Sequence, residues 1–321
     1  MEIRYKRSHF AKLLGFTDNQ LAAADKLPEL KALAGGPASY QARHLSAYRR
    51  VLDRHPRREP TRRQLFLNFK GGTGKTSLSV AYAYRLAELG HRVLLIDLDS
   101  QGHATQHLGL AAESLERTVF DTLVNGVPIE DVIVRTPLAE FDVLPANLRM
   151  TTIDISLMPM AGREYKLQRA LARVLDRYEF IVMDAPPAFG LLNLNALMAT
   201  DDLLVPVLPD FLSFHGLKLL FETLGQLEED LNHRLQEIRI VLNQYNPTTR
   251  IAREAKAALE AHYPEYLSDT IVRQCTQFAR ASSDRLPINA YAPSSKGARD
   301  IDALITEMIS AHVVRAMERS A

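Results

Sequence analysis

The residues with the clearest chemistry are Lys70-Gly71-Gly72-Thr73-Gly74-Lys75-Thr76-Ser77. Three glycines in four positions let backbone N–H groups turn inward around phosphate oxygens. A helix starting at the end of the run adds its partial positive charge. Lys75 has the reach to bridge the β- and γ-phosphates of a nucleotide, and the Thr76 hydroxyl can ligate Mg²⁺. The implied chemistry is triphosphate binding and phosphoryl transfer. Lys70 is additional, because a phosphate loop places no demand on that position.

Carboxylates follow at two strand ends. Val93–Leu98 (VLLIDL) carries Asp97, and Asp99 comes next in Asp99-Ser100-Gln101-Gly102. The two are read as pointing to opposite sides and holding different jobs, unless one or both simply cap the following turn. Phe180–Met183 (FIVM) leads into Asp184-Ala185-Pro186-Pro187. An apolar strand ending in a carboxylate can reach a Mg²⁺-bound water; the alternative is a structural buried Asp. The prolines stiffen the loop, and Gly190 is expected to permit a conformational change there.

KGGTGKT, DLDSQG and the DxPP run through Leu192 resemble the ParA/MinD superfamily and its ParA partitioning ATPases. The resemblance covers about residues 64–310, including Pro206–Pro209, Leu217 and Ser295-Lys296-Gly297-Ala298. It implies that Lys70 crosses a homodimer interface to the partner's ATP, where a second cation would neutralise charge developing during transfer; a solvated surface lysine is the alternative. It implies that Asp97, with Thr76 and Asp184, serves Mg²⁺, and that Asp99 orients the attacking water. Asn243, after Ile238–Leu242, would read the adenine edge, since an amide donates and accepts at once. An Asx turn before Pro247 is the alternative, and Asn246 is a competitor. Two departures stand out: Ser100 replaces a usual proline, and Phe69 a usual glutamine. The stretch Arg273–Arg285 also departs from the short chromosomal form. Family members bind DNA without sequence preference, which makes Arg250, Arg253, Arg273, Arg280 and Arg285 candidates; a solvated face is the alternative. A ParB-like cargo adaptor would stimulate otherwise slow hydrolysis. A cytoplasmic, nucleoid-associated protein is expected.

These motifs need a scaffold. The 321 residues are 46% hydrophobic and 24% charged, enough for a sizeable core. Short apolar runs at Gln64–Phe69, Val93–Leu98, Phe180–Met183, Leu203–Val207 and Ile238–Leu242 read as strands. Thr76–Leu89 (ended by Gly90), Glu164–Tyr178 and Ile251–His262 read as helices. Their alternation predicts an α/β fold, a doubly wound and mostly parallel sheet. Ligands bind at the carboxyl ends of such strands, where the motifs lie. No apolar run approaches the ~18 residues of a membrane helix, and the N-terminus lacks the apolar core of a secretory signal. The single cysteine, Cys275, excludes an internal disulfide and opposes an iron–sulfur carrier. It fits a reducing compartment.

Residues 1–63 hold 14 Lys/Arg and 6 Asp/Glu, a balance of +8 against −7 for the rest. That asymmetry suggests an anionic partner, nucleic acid first, or a solvated basic linker. His55-Pro56-Arg57-Arg58-Glu59-Pro60 reads as linker. The expected division is a helix-turn-helix-like, possibly winged, all-α domain at 1–55, a linker at 56–63 and the ATPase at 64–321. Ser8–Leu14 would be a helix capped by Ser8, Gly15-Phe16 a turn, and Thr17 the cap of a helix through Lys26. Tyr40–Leu52 would follow, with Leu45, Tyr48 and Leu52 on one face. Specific DNA binding and a dimerisation or partner-docking module both fit. A nucleotide-regulated repressor and a MinD-like membrane switch are the competing functions. The second needs a basic amphipathic C-terminal helix, and the apolar positions Leu304, Ile305, Met308, Ile309 and Val313 fit core packing better.

Overall fold

The computed structural model describes residues 3–31, 33, 40–56, 58 and 60–320, with side chains omitted at 212, 215 and 313–320. Arg57 and Glu59 of the expected linker, and the Val313 side chain, lie outside the described residues. In chain order the strands are β1 (Arg4–Tyr5), β2 (Tyr40–Gln41), β3 (Arg62–Phe66), β4 (Val93–Asp97), β5 (Val134–Arg135), β6 (Phe141–Leu144), β7 (Phe180–Asp184), β8 (Asp202–Val207) and β9 (Glu237–Leu242). The last seven form one sheet in the order β5-β6-β4-β7-β3-β8-β9. All its pairings are parallel except β5 with β6.

Alternation explains why the central strands read as unbroken apolar runs. Phe66, Val93, Leu95 and Val182 face one core, while Leu65, Leu94, Ile96, Ile181 and Met183 face the other. A strand covered on both sides needs apolar residues at every position. The second core is closed by helices including Ile153–Leu157, Leu191–Met198 and Leu212–Leu231. The first is closed by helix Lys75–Glu88 and by Ile301, Leu304, Ile305 and Met308 of the last helix, Lys296–Ser320. No described helix is long and apolar enough to cross a membrane.

Helix Lys75–Glu88 buries twelve of its fourteen residues, so it is covered on every side. The N-terminal segment supplies the outer cover and joins the same core through Tyr5, Phe10, Leu45 and Tyr48. Buried polar contacts fix the docking. Tyr5 donates to the Glu88 carboxylate at 2.7 Å. Ser46 donates to Glu140. Arg49, 1% exposed, donates to the Glu88 carbonyl at the helix end. Gly90 ends the helix at φ +103, as expected, with Arg49 and Pro56 packed where a Cβ would stand. Truncation of Arg49 to alanine should therefore cost several kcal/mol, at the upper end for single substitutions. Urea unfolding with an unchanged slope is the check, and a loss below about 1 kcal/mol would contradict this docking.

Several expectations need correction. The N-terminal segment is not all helical, since β1 and β2 pair antiparallel. Tyr40 and Gln41 belong to that ladder, so the helix is Ala42–Leu52. The first helix is Arg7–Leu13, with Lys6 at its N-cap and no side-chain cap from Ser8. Thr17 does cap the second helix, in a reciprocal pair with Gln20, but that helix is Asp18–Ala24. A short helix Pro28–Lys31 was not anticipated. Arg62 and Arg63 open β3 instead of ending a linker, because Asp202 and Asp201 neutralise them across the sheet. The expected helix Glu164–Tyr178 breaks into 3₁₀ turns at Arg163–Tyr165 and Leu175–Arg177 around Lys166–Leu171.

Candidate nucleotide site

Strand order assembles the site. β4, β7 and β3 are neighbours, with Asp97 level with Asp184 and Asp184 level with Phe66, just before the phosphate loop. Residues distant in the chain thus meet at one carboxyl edge. The loop turns through Gly72 (φ +74) and Gly74 (φ +89), and helix Lys75–Glu88 begins directly. Lys75 lies across the loop and donates to the Lys70 carbonyl at 3.1 Å. Its ammonium is depressed from the usual lysine range by burial, opposed by Asp184 and Asp99. Gly74 is doubly constrained, because a Cβ there would land on the Asn243 amide. The change Gly74→Ala should abolish nucleotide binding and cost about 1–2 kcal/mol of stability from φ alone. Equilibrium binding of a labelled nucleotide tests it, and retained affinity would refute the fit.

Asp184 is fully buried at the end of β7, and neither carboxylate oxygen meets a hydrogen bond of ordinary geometry, though the Thr76 and Ser79 hydroxyls lie close by. Burial first, and the Asp97 charge second, push it up to about 8; the nearby Thr76, Lys75 and Ser79 pull the other way. A buried carboxylate left unpaired beside a second one and a hydroxyl suits a hard divalent cation. Thr76 and Asp184 therefore fit as holders of Mg²⁺. Asp97 is occupied differently. One oxygen accepts from the Thr105 N–H (2.8 Å) and hydroxyl (2.7 Å), the other from the Asp99 N–H (3.1 Å). It shapes the loop from Asp99 to Thr105. Burial raises it to about 6.

The expected opposition of Asp97 and Asp99 does not come from strand alternation. Residues two apart share a face in a strand, and β4 ends at Asp97. Asp99 sits in the turn beyond, where one oxygen accepts from the Gln101 N–H at 3.0 Å and the other is 3.9 Å from His103. The turn-capping role is realised, and the second carboxylate oxygen accepts no hydrogen bond among the described residues. Asn243 donates to the Thr73 carbonyl at 2.7 Å and accepts from the Gln244 N–H, so it braces the loop from inside. It also lines a cavity of about 290 Å³ with Gly74, Ser77, Gln274, Thr276 and Phe278. Asn246 closes an Asx turn on Thr248.

Other contacts were not legible in the motifs. Lys70 pairs with Asp210, at 2.8 and 2.9 Å, in the loop after β8. Asp210 also accepts from the Ser213 N–H and hydroxyl, and its carboxyl is held below the ordinary range. Buried Asn193 donates to the carbonyls of Pro186 and Ala188, pinning the proline loop. Gly190 has an extended backbone (φ −157), and its role is close approach: the Asp154 carboxylate occupies the space of a Cβ and accepts from the Leu192 N–H. Phe69 packs edge-on against Phe189 of that loop at 5.3 Å. Among the arginines, Arg273 is engaged by Asp300 and Arg250 by Glu254, and Arg253 donates to the Pro247 carbonyl. Arg280 is exposed on helix Gln277–Ser283, and Arg285 sits in a left-handed turn (φ +55).

Known proteins resemble this chain in sequence and fold. Residues 63–237 match a family model described as an AAA domain. The chain is 54% identical over 305 residues to the cell division protein PomZ of Myxococcus xanthus, covering 95% of this chain and 92% of that one. It is 35% identical over 231 residues to the sporulation initiation inhibitor protein Soj of Bacillus subtilis, covering 72% and 91%. The chain belongs to the ParA/MinD family. A solved structure of cobyrinic acid a,c-diamide synthase from Mycobacterium smegmatis, with bound ATP analogue and magnesium, matches at TM-score 0.67 and 27% identity, covering 81% of this chain and 97% of that one. As a ParA/MinD ATPase of the partitioning and positioning kind, the chain uses ATP and Mg²⁺.

Proposed function

We propose that this ATPase is a positioning switch that dimerises face to face on ATP, binds DNA without sequence preference, and is released when a ParB-like partner stimulates hydrolysis. The observation that carries the reading is the different setting of the two lysines. Lys75 is buried across its own loop. Lys70 stands at the partly buried rim, its side chain 28% exposed, held by Asp210 at 31%. A cation placed so can be handed to a second protomer's nucleotide at small cost, since an exposed ion pair is worth about 0–1 kcal/mol.

In the reaction, backbone N–H groups of Gly71–Lys75 and the Lys75 ammonium hold the phosphates. Mg²⁺, held by Thr76 and Asp184 with Asp97 ordering the adjoining loop, would supply charge neutralisation at the β- and γ-oxygens. Asp99 positions the attacking water, and Lys70 of the partner copy neutralises charge on the transferred group. Hydrolysis is slow until the partner completes this geometry. The high identity to a protein named for cell division favours division machinery as the cargo. A nucleoid-associated location in the cytoplasm follows from DNA binding. The repressor alternative is weakened because the N-terminal segment shares a hydrophobic core with the ATPase sheet.

The test is sedimentation with ATP on non-specific duplex DNA. Wild type should form a DNA-bound dimer, Asp99→Ala should trap it, and Lys70→Ala should prevent it. A wild type that binds ATP without dimerising or gaining DNA affinity ends this reading.

A further inference from the structure

A groove of about 930 Å³ lies outside the nucleotide site, between the first helix and the segment before the last helix. Lys6 and Lys12 line one wall with His9; Gln277 and Tyr291 line the other. Both lysines are exposed, and neither ammonium has an ion pair among the described residues. Arg7, in contrast, is tied to Asp25. No carboxylate is among the residues that line the groove. Gln277 opens the helix that carries exposed Arg280 one turn later, so the groove continues the surface of that candidate arginine.

We infer that this groove is a binding site for the phosphate backbone of double-stranded DNA, with Lys6 and Lys12 as its contacts. Lys6 caps the first helix and Lys12 lies in its last turn, so the two line the groove from opposite ends of that helix. Two unpaired ammoniums facing hydroxyl and amide groups suit phosphodiester oxygens and carry no base specificity. The second helix, which a helix-turn-helix would lay into the groove of DNA, presents Asp18 at its exposed start and no cation. Hence the segment binds DNA through the wall of its first helix.

The inference rests on the ATP-dependent DNA binding proposed above. The test is a salt titration of DNA binding by the full chain with Mg²⁺ and a non-hydrolysable ATP analogue, on random-sequence duplex. The variants are Lys6→Glu/Lys12→Glu and a charge-matched control, Lys26→Glu/Lys31→Glu, outside the groove. The groove variant should bind at least about tenfold more weakly and lower the salt slope by about 1.8, two contacts at ~0.9 each, with analogue-induced dimerisation intact. The control should stay near wild type. Wild-type-like binding by the groove variant, or an equal loss in the control, overturns the inference while leaving the functional reading standing. A wild type without analogue-dependent DNA binding overturns both. Binding of the wild type alone to acidic peptides, with DNA affinity unchanged in the groove variant, would reassign the groove to a protein.

Discussion

Lys70→Ala should lower partner-stimulated ATP hydrolysis by about 10³-fold or more, the scale of a cation supplied to phosphoryl transfer from another chain. Nucleotide affinity of the monomer should change little, because in the proposed site Lys75 and the loop backbone hold the phosphates within one chain. The structure adds a second arm through Asp210. Asp210→Asn keeps the acceptor for Ser213 but removes the charge that holds Lys70. A pair with side chains 28% and 31% exposed is worth at most about 1 kcal/mol. Asp210→Asn should therefore shift the ATP concentration for dimerisation downward by no more than about fivefold. The two variants separate the roles: one loses the switch, the other loosens its resting position. Dimerisation of Lys70→Ala at the wild-type ATP concentration would contradict the handover of the lysine. Loss of dimerisation in Asp210→Asn would mean that Asp210 acts in the dimer itself.

The second large effect concerns Asp184. Asp184→Asn should cut ATP hydrolysis by about 10²–10³-fold, the loss typical of one preorganised electrostatic group, and should stabilise the nucleotide-free protein at alkaline pH. The sign follows from its setting. Its folded carboxyl is pushed up to about 8 by burial and by Asp97, while an unfolded aspartate titrates near 3.9. A folded value above the unfolded one gives stability that is full below about pH 4 and lost as pH rises through about 8. Asp97, pushed up to about 6, adds a smaller share of the same sign. His9, driven down to about 4 by burial and by Arg85 and Lys12, has the opposite slope, losing stability as pH falls from about 6.5. Comparing wild type with Asp184→Asn isolates the share of Asp184 together with its coupling to Asp97. The urea midpoint of wild type should fall toward pH 8 more steeply than that of the variant, and Mg²⁺ with nucleotide should flatten the wild-type slope. Parallel pH profiles would show that Asp184 is not the unpaired carboxylate.

The nucleotide loop was legible because its physics is local. Gly72, Gly74, Lys75 and Thr76 lie within five residues, and a left-handed turn into a helix start depends on little beyond that stretch. The strands were legible for a related reason, as burial on both faces writes unbroken apolar runs. The departures lie where a distant partner decides the structure. β6, with Asp142 at its centre, hides its strand character because Tyr178 satisfies that carboxylate. Arg62 and Arg63 looked like linker because Asp201 and Asp202 are about 140 residues away. The helix that Thr17 caps and the helix ending at Leu52 were readable from the cap and from periodicity, but the start of the first helix and the target of all of them were not. Arg49 reads as one more surface cation until Glu88 and Gly90 close over it.

The sequence by itself determined the chemistry: a phosphate loop with two lysines, carboxylates at strand ends and an α/β scaffold to bear them. Each is encoded within a turn or two of chain. The tertiary structure alone decided which charges are free to act. It left Asp184 buried without a hydrogen bond of ordinary geometry, tied up Asp97, parked Lys70 on Asp210, engaged Arg273 with Asp300 and left Lys6 and Lys12 unpaired beside an open groove. Whether an ionic group is neutralised depends on what the fold brings within about 4 Å of it, and strand order and helix docking set that distance.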